Sequence, residues 1–245
     1  PGSKRTPKTI TDKRMSHLIN LTRLRTVASA LSELNEKVVF VGGAVVSLYS
    51  PNAASEEPRP TNDIDLIIEV TTYTEFSGQI EERLRQLGFV NDIESGIICR
   101  YRIQGIIVDI MPTDENVLGF SNRWYGEGLL TAINYPISEQ QSIRILSAPY
   151  FIATKLEAFN SFRHGQDPRK NSDFEDLIYV FDNRESLLGE IYTCPESVRS
   201  YLQTELKRLL KDPSVYENIN SHLERTTASQ RTKRMLTIWN EIVAL

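Results

Sequence analysis

Apolar residues return at three- and four-residue steps between Thr11 and Leu34: Met15, Leu18, Ile19, Leu21, Leu24, Val27, Ala28 and Leu31. That spacing predicts one face of an amphipathic helix. Lys37 to Val41 is a short β-branched run and predicts a buried strand. Gly42-Gly43 ends it, and Ala44 to Tyr49 predicts a short helix. Ser50 to Pro60, rich in Pro, Ala, Ser and Glu, predicts a loop. Asp63 to Val70 starts with polar–apolar alternation and becomes continuously apolar, so it predicts a strand whose first residues lie at an exposed edge. Phe76, Ile80, Leu84 and Leu87 mark a helix over Tyr73 to Leu87, closed by Gly88. Ile97 to Ile103 and Ile106 to Met111 are β-rich runs joined by Gln104-Gly105, a hairpin signal, and Pro112 stops the second. Ser142 to Leu146 predicts a further strand.

Beyond Ala148-Pro149 the pattern becomes helical. Pro at an early helical position opens a stripe of Phe151, Ile152, Leu156 and Phe159. Ser172 to Phe181, Pro195 to Leu210 and Ser229 to Val243 are also helix-patterned. The expected architecture is therefore α+β over residues 1–146, followed by a helical domain over 147–245. Pro1-Gly2-Ser3 reads as a scar of a cleaved tag, and residues 1–10 as a flexible arm.

Composition narrows the function classes. The 245 residues are 40% hydrophobic and 24% charged, which excludes disorder of the whole chain. No apolar run reaches the roughly 20 residues of a membrane-spanning helix, and the basic, polar N-terminus has no secretory h-region. Cys99 and Cys194 lie in unrelated contexts, so two free thiols in a reducing cytoplasm are expected. Those cysteines and His17, His164 and His222 are too scattered for a zinc site. The net charge of −4 gives no global field for nucleic acid. Local basic clusters remain at Lys4, Arg5, Lys8, Lys13 and Arg14, at Arg163, His164, Arg169 and Lys170, and at Arg225, Arg231, Lys233 and Arg234.

Three acids carry candidate chemistry. Asp63 and Asp65 occupy alternate positions of one strand and share a face. Asp109 sits in an otherwise apolar strand, where a carboxylate is costly to bury unless paired or on a metal. If the two strands are neighbours, three carboxylates converge. Their mutual repulsion favours a divalent cation, and an oxygen-only donor set favours Mg²⁺ or Mn²⁺. Gly42-Gly43 upstream, between strand and helix, would let a phosphate approach the backbone closely.

A strand, a Gly-Gly turn, a helix, Asp-x-Asp on the next strand and a third acid on a later strand together resemble the polymerase-β-like nucleotidyltransferase superfamily. Here these are Val39 to Gly43, Asp63-Ile64-Asp65-Leu66 and Val108-Asp109-Ile110. Arg59-Pro60-Thr61-Asn62-Asp63-Ile64-Asp65 resembles the version found in AbiEii-type and MenA-type nucleotidyltransferases, many of them toxins of bacterial toxin–antitoxin pairs. Lys155-Leu156-Glu157-Ala158-Phe159, Arg163 and Asp173-Phe174-Glu175-Asp176-Leu177 are similar to a second block of that group. The resemblance runs from about Val38 to Phe181. It departs at Gly43, where many relatives carry a phosphate-contacting serine, in the longer Tyr49 to Pro60 connection, and at Ser172, where the group has an arginine.

The resemblance implies a fold of mixed sheet and flanking helices, and transfer of a nucleoside monophosphate from a nucleoside triphosphate to an acceptor hydroxyl. Asp63, Asp65 and Asp109 would be the catalytic and metal-binding residues, with Asp109 sharing a second ion. Gly42, Gly43, Lys155, Arg59 and Asp173 are the candidate nucleotide-binding residues, although a solvent-facing lysine, a solvated loop arginine and a helix-start aspartate are the plain readings of the last three. Thr61 would brace the turn before the strand, and Asp176 is expected to be structural. The implied acceptor is RNA, such as the acceptor end of tRNA, with a cognate antitoxin as partner. The alternatives are a small molecule of aminoglycoside type, a protein hydroxyl, or an inactive nucleotide-binding module. Expected sequence-wide outcomes are a cytoplasmic location and no membrane.

Overall fold

The computed structural model describes residues 10–51, 57–70, 72–161 and 167–245, with side chains from Ser16 onward. The expected arm with its tag scar lies outside them, as do Lys4, Arg5, Lys8, Arg163, His164 and the side chains of Lys13, Arg14 and Met15.

Helix α1 (Ile10–Leu31) buries Leu24, Val27, Ala28 and Leu31. Two residues expected on that face, Leu18 and Ile19, are instead 62% and 43% exposed. The helix also stops earlier than its periodicity predicts. Ser32 has φ 52°, and a 3₁₀ turn over Ser32–Glu36 takes Leu34 into the core. Strand β1 (Val38–Val41) is buried on both faces. The helix expected after Gly42-Gly43 is a 3₁₀ helix, Gly43–Tyr49, with every residue buried.

Strand β2 (Asp63–Ile68) follows. Helix α2 (Tyr73–Glu75), a π-helical turn (Phe76–Ile80) and α3 (Glu81–Gln86) make one helical stretch. The Thr72 hydroxyl caps it by accepting from the Glu75 N–H, and Gly88 leaves it at φ 90°. Strand β3 (Val90–Asn91) is a two-residue edge that the polar, short segment did not signal. Strands β4 (Arg100–Ile103) and β5 (Ile106–Pro112) form the expected hairpin. Gln104 and Gly105 both have positive φ, 48° and 78°, as a two-residue primed turn requires. β4 starts three residues later than expected, and Pro112, expected to stop β5 after Met111, is its last residue. β4 pairs with β5 only through Ile106 to Ile110, so a missing N–H at Pro112 removes no bond there.

Short helices α4 (Glu115–Leu118) and α5 (Tyr125–Leu130) precede a second hairpin of β6 (Ile133–Ser138) and β7 (Gln141–Ile145). The sequence predicted only β7, because β6 is largely exposed and shows no apolar run. The remainder is helical: α6 (Ala148–Asn160), α7 (Ser172–Asn183), α8 (Leu187–Thr193), α9 (Glu196–Leu210), α10 (Val215–Asn220) and α11 (Ala228–Ala244). The small α8 and α10 escaped the pattern.

The seven strands form one mixed sheet in the order β3-β4-β5-β2-β1-β7-β6. β2 pairs antiparallel with β1 and parallel with β5. It is an interior strand, so its acid-bearing start is not at a sheet edge as expected; one face is simply left partly open there. The core is continuous from the sheet through α6, α7, α9 and α11. Every described strand precedes Ser147, and every described element after it is helical. Among the described residues no helix is long and apolar enough to cross a membrane. Both cysteines are free.

Candidate active site

Strand register assembles the acids. β2 and β5 run parallel with Asp65 opposite Asp109, and β1 places Val41 opposite Asp65. In-register residues on neighbouring strands project to one face, and Asp63 shares that face with Asp65. One carboxylate oxygen from each of Asp63, Asp65 and Asp109 lies within 4.8 Å of the others. Asp109 is buried, and the other two are half-buried.

Local contacts fix each acid. The Thr61 hydroxyl donates to Asp63 Oδ1 at 2.9 Å, so Thr61 orients a carboxylate as well as bracing the turn. Arg23 Nη1 in turn holds the Thr61 carbonyl at 2.7 Å. Asp65 packs directly on Gly42, which has φ 73° and ψ −163°, and any Cβ there would collide with the carboxylate. That conformation is almost confined to glycine. Burial, then the neighbouring Asp63, pushes the Asp65 carboxyl up from 3.8 to about 7; Lys155 opposes this and Asp109 adds to it.

The acids have a partner the sequence reading missed. Arg100 donates from Nε to Asp109 Oδ1 at 2.7 Å and from Nη2 to Asp109 Oδ2 at 2.6 Å. Its Nη2 also lies 3.4 Å from Asp63 Oδ2. Hydrogen bonding to Asp109 holds this guanidinium above its ordinary range. The signal was present: a two-residue turn at Gln104-Gly105 pairs Ile103 with Ile106 and therefore Arg100 with Asp109. Tyr125 was missed too. Its phenol is pushed up by burial and then by the charges of Asp65 and Asp173.

A second charged cluster comes from the segment before β2 and from α6 and α7. Lys155 is buried, with Nζ 3.0 Å from Asp173 Oδ1 and 2.8 Å from Asp176 Oδ2. Burial alone would lower its pKa, but Asp176 and Asp173 outweigh that and hold the ammonium above its usual range. Arg59 forks onto Asp176 with two bonds of 2.9 Å. It also covers Gly43, where a Cβ would come within 2.6 Å of Nη2. The missing side chain at Gly43 therefore makes room for Arg59. The plain readings of Lys155 as solvent-facing and Arg59 as solvated do not hold, because Lys155 is buried and Arg59 half-buried, both in ion pairs. The charges of Lys155 and Arg59 both act on Asp65, and the two clusters adjoin at Gly42-Gly43, where Asp65 packs on the first glycine and Arg59 on the second. Asn171 caps α7 by accepting from the Asp173 and Phe174 N–H groups, setting Asp173 at its start.

The sequence of residues 25–237 matches the family described as Nucleotidyl transferase AbiEii toxin, Type IV TA system. The chain belongs to this family. It is accordingly a nucleotidyltransferase of a toxin–antitoxin system. The AbiEii match takes in both charged clusters and reaches beyond the motifs into α9 and α11. A solved antigenic nucleotidyltransferase-like protein from Paracoccidioides brasiliensis is similar at 16% identity and a TM-score of 0.47, covering 86% of this chain and 96% of that one. No curated protein matches the chain.

The basic clusters fare unevenly. Arg231 and Arg234 both bond the carboxylate of Asp182, the latter at 2.7 Å, and so serve the helical packing. Arg169 pairs with Asp167 but stays largely exposed, and Lys170 is exposed.

Proposed function

We propose that this AbiEii-family chain moves a nucleoside monophosphate from a nucleoside triphosphate to a hydroxyl of RNA, with tRNA as the favoured acceptor, using Mg²⁺ or Mn²⁺ held at Asp63, Asp65 and Asp109. The convergence of three carboxylates on one sheet face carries this reading. The site suits such an ion chemically. The donors are hard oxygens without imidazole or thiolate. Burial, and then the neighbouring Asp63, pushes the Asp65 carboxyl up to about 7, a conflict that a divalent cation relieves. Bound there, the ion would supply Lewis-acid charge to the phosphates and ease deprotonation of the acceptor hydroxyl.

The protein's own residues set the frame. Thr61 holds Asp63 in one rotamer. Gly42 leaves Asp65 the room it occupies. The positive charges of Lys155 and Arg59 act on Asp65, and Lys155 is suited to a triphosphate oxygen as a point charge. Asp173 orients Lys155 until the nucleotide arrives. Exposed Lys170 and Arg169 offer positive charge to an RNA backbone. A cognate antitoxin is the proposed protein partner, and the cytoplasm, which suits these substrates, is the proposed location.

Incubation with each labelled nucleoside triphosphate, Mg²⁺ and total RNA, resolved on a gel, tests the reading. Label on a tRNA-sized band is the expected result. The Asp63→Asn, Asp65→Asn double variant is expected to lose about 1,000-fold, since several kcal/mol of charge stabilisation disappear at about 1.4 kcal/mol per decade. Label on a protein or an aminoglycoside, with none on RNA, would refute the RNA acceptor.

A further inference from the structure

Arg100 sits where metal-based readings of a three-acid site would place further positive charge. It engages both oxygens of Asp109, at 2.7 and 2.6 Å, and reaches Asp63 at 3.4 Å. The pair is enforced from two directions. The tight turn at Gln104-Gly105 sets Arg100 opposite Asp109, and both side chains leave the same face. The planar guanidinium matches a carboxylate through two parallel bonds, which a lysine cannot do. The arginine is also permanently charged, so this neutralisation persists at any physiological pH.

Charge counting then separates two designs. Once a cation displaces the Asp65 proton, the three carboxylates carry −3, and Arg100 reduces that to −2, which one divalent ion balances. Asp109 has committed one lone pair of each oxygen, whereas no arginine forks onto Asp63 or Asp65 among the described residues. We propose that Arg100 takes the place of a second metal ion, so that the chain binds a single divalent cation at Asp63 and Asp65 while Arg100 holds Asp109 as a positioning residue. This inference rests on the metal-dependent reading above and refines it. It makes the guanidinium a resident counter-ion that keeps the acids assembled between catalytic cycles.

The test counts ions without relying on turnover. The full-length chain is titrated with Mn²⁺ in the presence of one equivalent of each α,β-methylene nucleoside triphosphate in turn, and bound ions are counted by electron paramagnetic resonance. Wild type is expected to hold one Mn²⁺ per chain with the analogue it accepts. Arg100→Ala is expected to hold two, and Arg100→Lys, which keeps the charge, one. Two ions on wild type, or equal numbers on wild type and a folded Arg100→Ala, overturn the inference while leaving metal dependence intact. Should Arg100→Ala not fold, the wild-type count alone decides. No protein-bound Mn²⁺ with any analogue overturns both this inference and the reading beneath it. Retention of the single ion by the Asp63→Asn, Asp65→Asn variant overturns its assignment to those two residues.

Discussion

Gly42 and Asp65 make one steric unit. The glycine adopts φ 73° and ψ −163°, and the carboxylate fills the space a side chain would take. Gly42→Ala is expected to destabilise the protein by about 1–3 kcal/mol through backbone strain alone, and to displace Asp65 as well. Urea denaturation measures the first effect and Mn²⁺ affinity the second; an unchanged affinity would mean that Asp65 does not need this seat. Asp65 also imposes a pH dependence. Its folded-state value of about 7 lies above the ordinary 3.8, so the native state retains a proton that the unfolded chain has lost. Stability from this group therefore falls as pH rises from about 4 through 7 and then levels off. In EDTA, wild type is expected to lose more stability than Asp65→Asn between pH 5 and pH 8. Added Mg²⁺, which competes with that proton, is expected to stabilise more at pH 8 than at pH 5.

At the scale of elements, Asp176 joins three segments. It receives Lys155 from α6 and Arg59 from the segment before β2, and it is itself fully buried on α7. Removing the shared carboxylate takes away the forked partner of Arg59 and leaves Lys155 with Asp173 alone, in a low-dielectric setting. Asp176→Ala is expected to cost about 3–5 kcal/mol, read as a lower urea midpoint with the denaturant slope unchanged. A loss below 1 kcal/mol would show that the cluster relaxes into water and does not brace the helices against the sheet.

Across the whole molecule, the core passes from sheet to helices without a break. The Tyr49 hydroxyl donates to the Leu146 carbonyl, and Arg184 of the helical part donates to the Tyr49 carbonyl. Lys155, Asp173 and Asp176, the second charged cluster's part of the network near Asp65, also lie beyond residue 147. A chain ending at Leu146 is therefore expected to lack a cooperative thermal transition, because the shared core would lose Phe151, which packs on Tyr49, together with Leu156, Phe174 and Phe181. A sharp calorimetric peak from that fragment would show instead that the sheet carries its own core.

Much of this protein is fixed by local pattern. Period-two and period-3.6 spacing, together with Gly42, Gly88, Pro149 and the Gln104-Gly105 turn, determine most strands and the long helices, because backbone conformation at those points follows from nearby residues. The alternation of Asp63 and Asp65 likewise puts them on one face without reference to anything distant. Short or exposed pieces such as β3, β6, α8 and α10 carry too few apolar positions to register. What the chain could not state locally is which strands are neighbours. Only the sheet order sets β5 beside β2, and so brings Asp109 to Asp65 and Arg100, already opposite Asp109 in its hairpin, to Asp63. The same holds for Lys155, whose burial and pairing depend on α6 and α7 meeting the segment before β2. Contacts between residues dozens of positions apart are settled by packing the whole core, and the charges of the site are distributed by that packing.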